Sequence, residues 1–244
     1  VMKMKLGLVS CLVKDNDIEH QLKQIERYTS LNHNCDLICF GESFLQGFDG
    51  LTWNYGEDIE RAVAIDDPVI DAVRELAKTS NCGISFGFVE RDKSSLYSSN
   101  MVIDSYGEVV DIFRRITPGW KEPKANNMYK EGQEFHTFKY TDKVLGTAIC
   151  GDIWDDHLLK CLEGMEMDAL LWPVYIDYSV SQWNELAQKE YAERTRNLPC
   201  PVLMINSFYA DNNRAKGGCY VFHQNRIVAA LPLGNTGVLE FELD

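Results

Sequence analysis

Short apolar, β-branched runs alternate along this chain with stretches whose apolar residues recur every three or four positions. That is the pattern of buried strands interleaved with amphipathic helices. Lys5–Val13 reads as a first strand. Asn16 or Asp17 then caps a helix with Ile18, Leu22 and Ile25 on one face, and Asn16-x-x-Glu19 resembles a capping box. Asp36–Phe40 is a second buried strand, closed by Gly41–Glu42. Asp67–Pro68 opens a helix carrying Val69, Ile70, Val73, Leu76 and Ala77, with Pro68 suited to the first helical position. Gly83–Glu90 is a strand, and Leu96–Ile103 and Glu108–Arg115 flank a hairpin turn at Asp104–Ser–Tyr–Gly107.

The polar stretch Thr117–Glu134 holds Pro118 and Pro123 and predicts a long loop, or a loop with one helical turn. Its length suggests function rather than mere connection. Strands Phe135–Tyr140 and Val144–Ile149 follow, then a short helix near Asp155–Glu166 and the strand Ala169–Trp172. A helix over about Ser179–Leu198 gathers Trp183, Leu186, Ala187, Glu190, Tyr191 and Arg194 at helical spacing. Val202–Ser207 is a strand, and Gly218–His223 with Arg226–Leu231 form a closing hairpin. Such βα units mixed with hairpins predict an α/β fold with sheets buried beneath helices. No linker or repeat divides residues 1–244, which read as a single domain.

Charge and cysteine usage narrow the function. The net charge of −13, from 24 basic against 37 acidic residues, argues against a nucleic-acid partner and suits a soluble cytoplasmic protein. No apolar window is long enough for a membrane span, so no membrane partner is expected. The opening Val1–Met–Lys–Met–Lys has the positive start of a signal peptide. The run after it is short, contains Ser10 and Cys11, and ends in Lys14–Asp–Asn–Asp17, so a first strand is the better reading. Val1 before Met2 reads as an expression scar. The eight cysteines include no Cys-x-x-Cys pair, and Cys35-x3-Cys39 has no second ligand pair nearby. Reduced, buried thiols in a reducing compartment are expected, and no metal or organic cofactor is implied.

One thiol stands apart. Cys150 ends the run Val144–Leu–Gly–Thr–Ala–Ile149 and precedes Gly151–Asp152, which places it at the carboxyl end of a buried strand entering a sharp turn. Open α/β sheets do their chemistry at such ends. Glu42 occupies the same kind of place after Asp36–Leu–Ile–Cys–Phe–Gly41. A nucleophilic cysteine needs a base and a positive partner. Taken singly, Glu42 could be a solvated loop acid and Cys150 a small buried hydrophobe; their matching placement favours chemistry for both.

Several strings in order make the chain resemble the nitrilase superfamily of carbon–nitrogen hydrolases. They are Leu37–Ile–Cys–Phe–Gly–Glu42, Val110–Asp–Ile–Phe–Arg–Arg–Ile116 and Ala148–Ile–Cys150–Gly–Asp152. Trp183 with Tyr191–Ala–Glu–Arg–Thr–Arg–Asn197, Asn206, and Gly217–Gly–Cys–Tyr–Val–Phe222 follow. The resemblance spans essentially the whole chain. It implies a four-layer α-β-β-α sandwich and hydrolysis of a small-molecule amide, carbamoyl or nitrile substrate. Cys150 would attack carbon, Glu42 would act as general base, and a lysine with a backbone N–H would stabilise the oxyanion.

The chain departs from the family at that lysine. The usual Tyr-Arg-Lys is here Phe113–Arg114–Arg115. Either the loop folds back so that Lys121 supplies an ammonium, or Arg115 supplies a guanidinium from the usual position. Lys121 is preferred, because a compact ammonium suits an oxyanion and the flanking Gly119 and Trp120 suggest a shaped loop. Glu122 and Glu131 are candidates for the extra glutamate that family members keep near the lysine. Gly151, Trp154 and Tyr175 are candidates for the substrate pocket, and Arg194 for a structural ion pair.

Two rivals are a Cys–His hydrolase using His157, which nothing in the sequence orients, and a binding or regulatory protein with impaired chemistry on the same scaffold. The resemblance also implies a homodimer or higher homo-oligomer, with the helix bearing Trp183 and Tyr191 a candidate contact.

Overall fold

Along the central strands both faces are apolar, and successive residues are shared between two different cores. In Leu37–Cys39 the side chains of Leu37 and Cys39 enter a core between two sheets, while Ile38 enters an outer core beneath helices. In Ala169–Val174, Ala169 and Leu171 face the inter-sheet core, and Leu170, Trp172 and Val174 face a second outer core.

The computed structural model describes residues 3–32 and 34–244, so the reading of Val1 before Met2, and His33, lie outside the described residues. Strands β1 (Met4–Ser10), β2 (Leu37–Cys39), β3 (Gly83–Asp92), β4 (Ser95–Ile103) and β5 (Val109–Arg114) belong to one sheet. Strands β6 (Thr137–Tyr140), β7 (Lys143–Thr147), β8 (Ala169–Val174), β9 (Val202–Asn206), β10 (Cys219–His223) and β11 (Arg226–Leu231) form the other. A last strand, β12 (Gly237–Leu243), returns to the first sheet and pairs antiparallel with β1. The orders are β12-β1-β2-β3-β4-β5 and β11-β10-β9-β8-β7-β6.

Helices α1 (Ile18–Leu31) and α3 (Pro68–Ser80) cover the first sheet, with α2 (Tyr55–Arg61) between them in sequence. On the second sheet lie α4 (Asp156–Glu163) and a helical run over 180–194, here α5, which passes through a π-helical stretch at Trp183–Ala187. The result is the expected α-β-β-α sandwich. Among the described residues no helix is long and apolar enough to cross a membrane.

Strand direction gathers the site. β1, β2 and β3 run parallel, as do β7, β8 and β9. β4 is antiparallel to β3 and β5 to β4, so β5 points the same way as β2 and ends at the same side of its sheet. Pairing of β4 with β5 is regular from Ser99–Arg114 to Val102–Asp111, then shifts so that Ile103 meets Val109 and Val110 is the extra residue of a bulge.

Some sequence expectations are corrected. Asp17, not Asn16, caps α1, its carboxylate accepting from His20 N; the expected Asn16–Glu19 box does not form, because Asn16 turns away with φ 56° and donates to Gly50 O. The short α2 and the strand β12 are absent from the sequence reading. The loop after β5 has its single helical turn at Pro118–Trp120.

Gly87 on β3 lets the turn after β2 lie directly on the sheet. A Cβ there would come within 2.5 Å of the Gly41 carbonyl oxygen and also press on the Ser43 amide, both backbone atoms. We expect Gly87→Ala to lower stability by about 1–3 kcal/mol, as overpacking does. Denaturant titration checks this, and an unchanged midpoint would mean that the turn is free to lift.

Candidate active site

Glu42 stands three residues beyond β2, on a turn pinned to the sheet by a hydrogen bond from Phe40 N to Ser85 O. Its side chain is fully buried and acts as acceptor on both oxygens. Arg115 Nη1 donates to Oε1 at 2.6 Å, and the backbone N–H of Tyr175 donates to Oε2 at 3.1 Å. Arg115, the first residue past β5, is itself almost entirely buried. Its neighbour Arg114 faces the other way, lies 3.8 Å over the Tyr97 ring and pairs with Glu90 and Asp92.

Cys150 follows β7 and opens a short 3₁₀ turn, Cys150–Trp154. Its φ of 42° lies in the left-handed region, where a side-chain-bearing residue is strained and where functional residues are often held. Trp172 Nε1 donates to the Cys150 carbonyl at 3.0 Å, and the thiol points at the Tyr175 carbonyl, 3.6 Å away. The thiol and the Glu42 carboxyl lie close enough for each to shift the other's ionisation. One residue, Tyr175, therefore touches both groups through its backbone. Its ring is stacked on Phe48 at 3.9 Å, which fixes the peptide between them.

Asp152 ties the Cys150 turn to the segment after β5. Its Oδ1 accepts from Ile116 N, Thr117 N and the Thr117 hydroxyl, at 3.1, 2.8 and 2.8 Å, and its Oδ2 accepts from Ile149 N at 3.0 Å. Thr117 Oγ1 in turn accepts from Arg115 Nε at 3.1 Å. Gly151 and Gly119 flank the guanidinium, and a Cβ on either would approach Arg115 Nη2 to 2.7 and 3.1 Å.

The electrostatics follow from burial. Desolvation pushes the Glu42 carboxyl above its ordinary value, opposed by the Arg115 charge and its hydrogen bond. Burial and the neighbouring Glu42 push the Cys150 thiol up to about 12, with Arg115 and the Tyr175 contact pulling the other way. Burial works against the Arg115 charge, but Glu42, Cys150 and Asp152 together outweigh it and raise its pKa. Burial thus favours the protonated thiol beside a carboxyl that is gripped by a cation.

The other sequence candidates fall as follows. Among the described residues Lys121 makes no hydrogen bond or ion pair with Glu42 or Cys150. Its ammonium pairs with Glu131 and donates to the Tyr129 carbonyl at 3.2 Å, and the preceding Trp120 is buried beside Trp53 and Tyr129. Glu131 is therefore the glutamate beside that lysine, while Glu122 pairs with Lys124 on the surface. Gly151 and Tyr175 adjoin the cluster. Trp154 is exposed and packs on Tyr191. Arg194 makes the expected structural ion pair, with Asp156, and His157 is exposed with no hydrogen bond to Cys150 among the described residues.

Trp183 and Tyr191 point into the outer core, so the outward face of α5 is formed instead by Val180 and Leu186. Sequence reasoning missed Thr117 and assigned Asp152 no role in holding the segment after β5; the Thr spaced two residues from the paired arginines was the available signal. Among the described residues no group of three or more His, Cys, Asp or Glu side chains is placed to hold a metal ion.

Comparison with known proteins agrees with this architecture. The carbon–nitrogen hydrolase family model matches residues 5–244. A cyanide hydratase of Pyrenophora teres f. teres (strain 0-1) is 30% identical over 188 residues, which are 71% of this chain and 50% of that protein. A bromoxynil-specific nitrilase of Klebsiella pneumoniae subsp. ozaenae is 25% identical over 221 residues, 85% of this chain and 55% of its own. The chain spans about half the length of the curated relatives it matches.

An amidase from Nesterenkonia sp. superposes with a TM-score of 0.80 at 14% identity, over 98% of this chain and 90% of the amidase. A mutant of the Nesterenkonia sp. AN1 amidase, 13% identical with a TM-score of 0.78 over 99% of this chain and 92% of its own, shows the result of Michael addition of acrylamide at its active-site cysteine. The glutamine-dependent NAD+ synthetase of Acinetobacter baumannii gives 0.79 at 20% identity, over 100% of this chain and 46% of that one. At these identities the solved structures speak for the fold. Matched by the family model from residue 5 to residue 244 and folded as its solved relatives are, the chain belongs to the carbon–nitrogen hydrolase family.

Proposed function

We propose that the chain is a cysteine-dependent hydrolase of a small non-peptide C–N bond, an amide, carbamoyl or nitrile, acting through a covalent thioester-type intermediate. The observation that carries this reading is the Glu42 carboxyl. It is held between a buried guanidinium and the backbone N–H of Tyr175, the residue whose carbonyl faces the Cys150 thiol in left-handed backbone. Burial keeps the thiol protonated, so Glu42 removes that proton as Sγ bonds to the substrate carbon. The proton passes to the departing nitrogen, and Glu42 then takes one from the water that cleaves the intermediate.

Arg115 fills the cationic place in this scheme. It holds Glu42 ionised and, with the backbone N–H beside Cys150, faces the developing oxyanion. Its ion pair with Glu42 supports that assignment, and the pairing of Lys121 with Glu131 supports a loop-building role for the lysine. Gly151, Tyr175 and, at the rim, Trp154 are the proposed substrate contacts.

The same proposal treats residues 1–244 as one domain, supported by the core shared between the sheets. It also includes a homo-oligomer that covers Val180 and Leu186 on α5, exposed by 41% and 61%. Eight free cysteines support a reducing, cytoplasmic setting. A second reading, a binding or regulatory protein with impaired chemistry, is favoured by the raised thiol and by an arginine where the family has lysine. An acyl adduct trapped on Cys150 by mass spectrometry decides for the enzyme. Absence of both adduct and turnover across a broad amide, carbamoyl and nitrile panel decides for the binder.

On that panel, Cys150→Ala abolishes turnover, and Glu42→Gln lowers it by about 10²–10⁴-fold. Arg115→Ala lowers it by about 10²–10³-fold, while Lys121→Ala stays near wild type. A crippling Lys121→Ala beside a tolerated Arg115→Ala would return the oxyanion role to the lysine.

The pH dependence follows from the sign of the Glu42 shift. Catalysis needs the carboxylate, so the rate rises with pH as Glu42 ionises. Burial raises its pKa, so this acid limb lies above the range of an exposed glutamate. A kcat/KM profile already flat at the ordinary glutamate range would argue against Glu42 as base.

A further inference from the structure

Two buried carboxylates compete for Arg115. Glu42 and Asp152 both act on the guanidinium, and only one of them bonds to it directly. The difference lies in how Asp152 is occupied. Four donors, three of them backbone N–H groups, converge on its two oxygens. We propose that Thr117 is a positioning residue whose hydroxyl helps to saturate Asp152 and clamps Arg115 by Nε, so that the guanidinium is delivered to Glu42. The inference rests on the roles proposed above for Glu42 and Cys150.

Hydrogen-bond chemistry makes a hydroxyl the natural group for this place. Arginine offers only donors and an ionised carboxylate only acceptors, and a backbone N–H cannot accept. A hydroxyl does both. Thr117 Oγ1 gives its proton to Asp152 Oδ1 at 2.8 Å and accepts from Arg115 Nε at 3.1 Å. Because the guanidinium is planar, fixing Nε on Thr117 and Nη1 on Glu42 fixes the whole fork. Nη2 is then directed between Gly119 and Gly151, against the turn that carries Cys150. Without the hydroxyl, Asp152 loses one donor and the fork loses its hinge. The guanidinium can then rotate toward Asp152 and leave Glu42 with only the Tyr175 N–H.

The test is the rate of Cys150 alkylation by acrylamide across pH, read by peptide mass spectrometry. The exposed Cys161 in the same samples serves as an internal reference. Wild type is expected to show an acid limb that Glu42→Gln removes. Thr117→Val, and independently Thr117→Ala should Val fold poorly, move that limb up by about one pH unit or more, the usual size of losing an adjacent opposite charge. Thr117→Ser, which keeps the hydroxyl, restores the wild-type limb, and the Cys161 profile is the same throughout. A wild-type limb in both Thr117→Val and Thr117→Ala, or a uniform loss of rate without a shift, overturns the positioning role while leaving Glu42 as base. An unaltered limb in Glu42→Gln overturns the Glu42 reading and this inference with it.

Discussion

A carboxylate and a guanidinium 2.6 Å apart, both nearly shut off from water, are tolerated only if other groups complete what the pair leaves open. The attraction between Glu42 and Arg115 is set against the desolvation of two ions, and removing one partner of such a pair costs about 3–5 kcal/mol. The surrounding structure answers several of the valences that remain. Tyr175 N–H takes the second Glu42 oxygen, Thr117 takes Arg115 Nε, and glycines at 119 and 151 leave room for the fork. Each contributing segment lies just beyond the end of a strand, β2, β5, β7 or β8. The ion pair thus depends on the sandwich, and the site depends on the ion pair.

That dependence explains why a thiol with a raised pKa is consistent with chemistry. A preformed thiolate would need a net positive surround, whereas Cys150 has an anion and a cation already matched to each other. The Glu42–Arg115 pair is neutral as a unit until a proton moves, while Asp152 is occupied by its own four donors. Moving it from sulfur to Glu42 would leave Arg115 facing the newly charged partner instead of the old one. Such an arrangement suits the proposed proton transfer coupled to attack.

Much of this was legible in the sequence because it follows from periodicity. The buried runs of β2, β7 and β8, the Pro68 start of α3 and the Asp104–Gly107 hairpin are local signals, and Glu42 and Cys150 are found by following strands to their ends. β12 was legible too, since Leu239, Phe241 and Leu243 alternate with Glu240 and Glu242, but it lies after a hairpin that seemed to close the fold. The seven-residue α2 is too short for a helical period to stand out. The choice between Arg115 and Lys121 was not legible. The contacts that bear on it, Trp120 against Trp53 and Tyr129 and Arg115 against Glu42, join segments with no shared pattern.

The bulge in β5 has a chemical result. Val109 packs toward the outer core and Val110 toward the inter-sheet core, but Ile112 faces outward again, so the extra residue reverses the alternation of every later side chain. With the same residues in a regular ladder, Arg114 would enter the interior and Arg115 would lie over the Tyr97 ring. Two adjacent arginines are chemically identical, so which of them pairs with Glu42 is written in the parity of an edge strand. Loss of Val110 alone would straighten the ladder and keep both arginines on their present faces, because the bulge is what absorbs the extra residue.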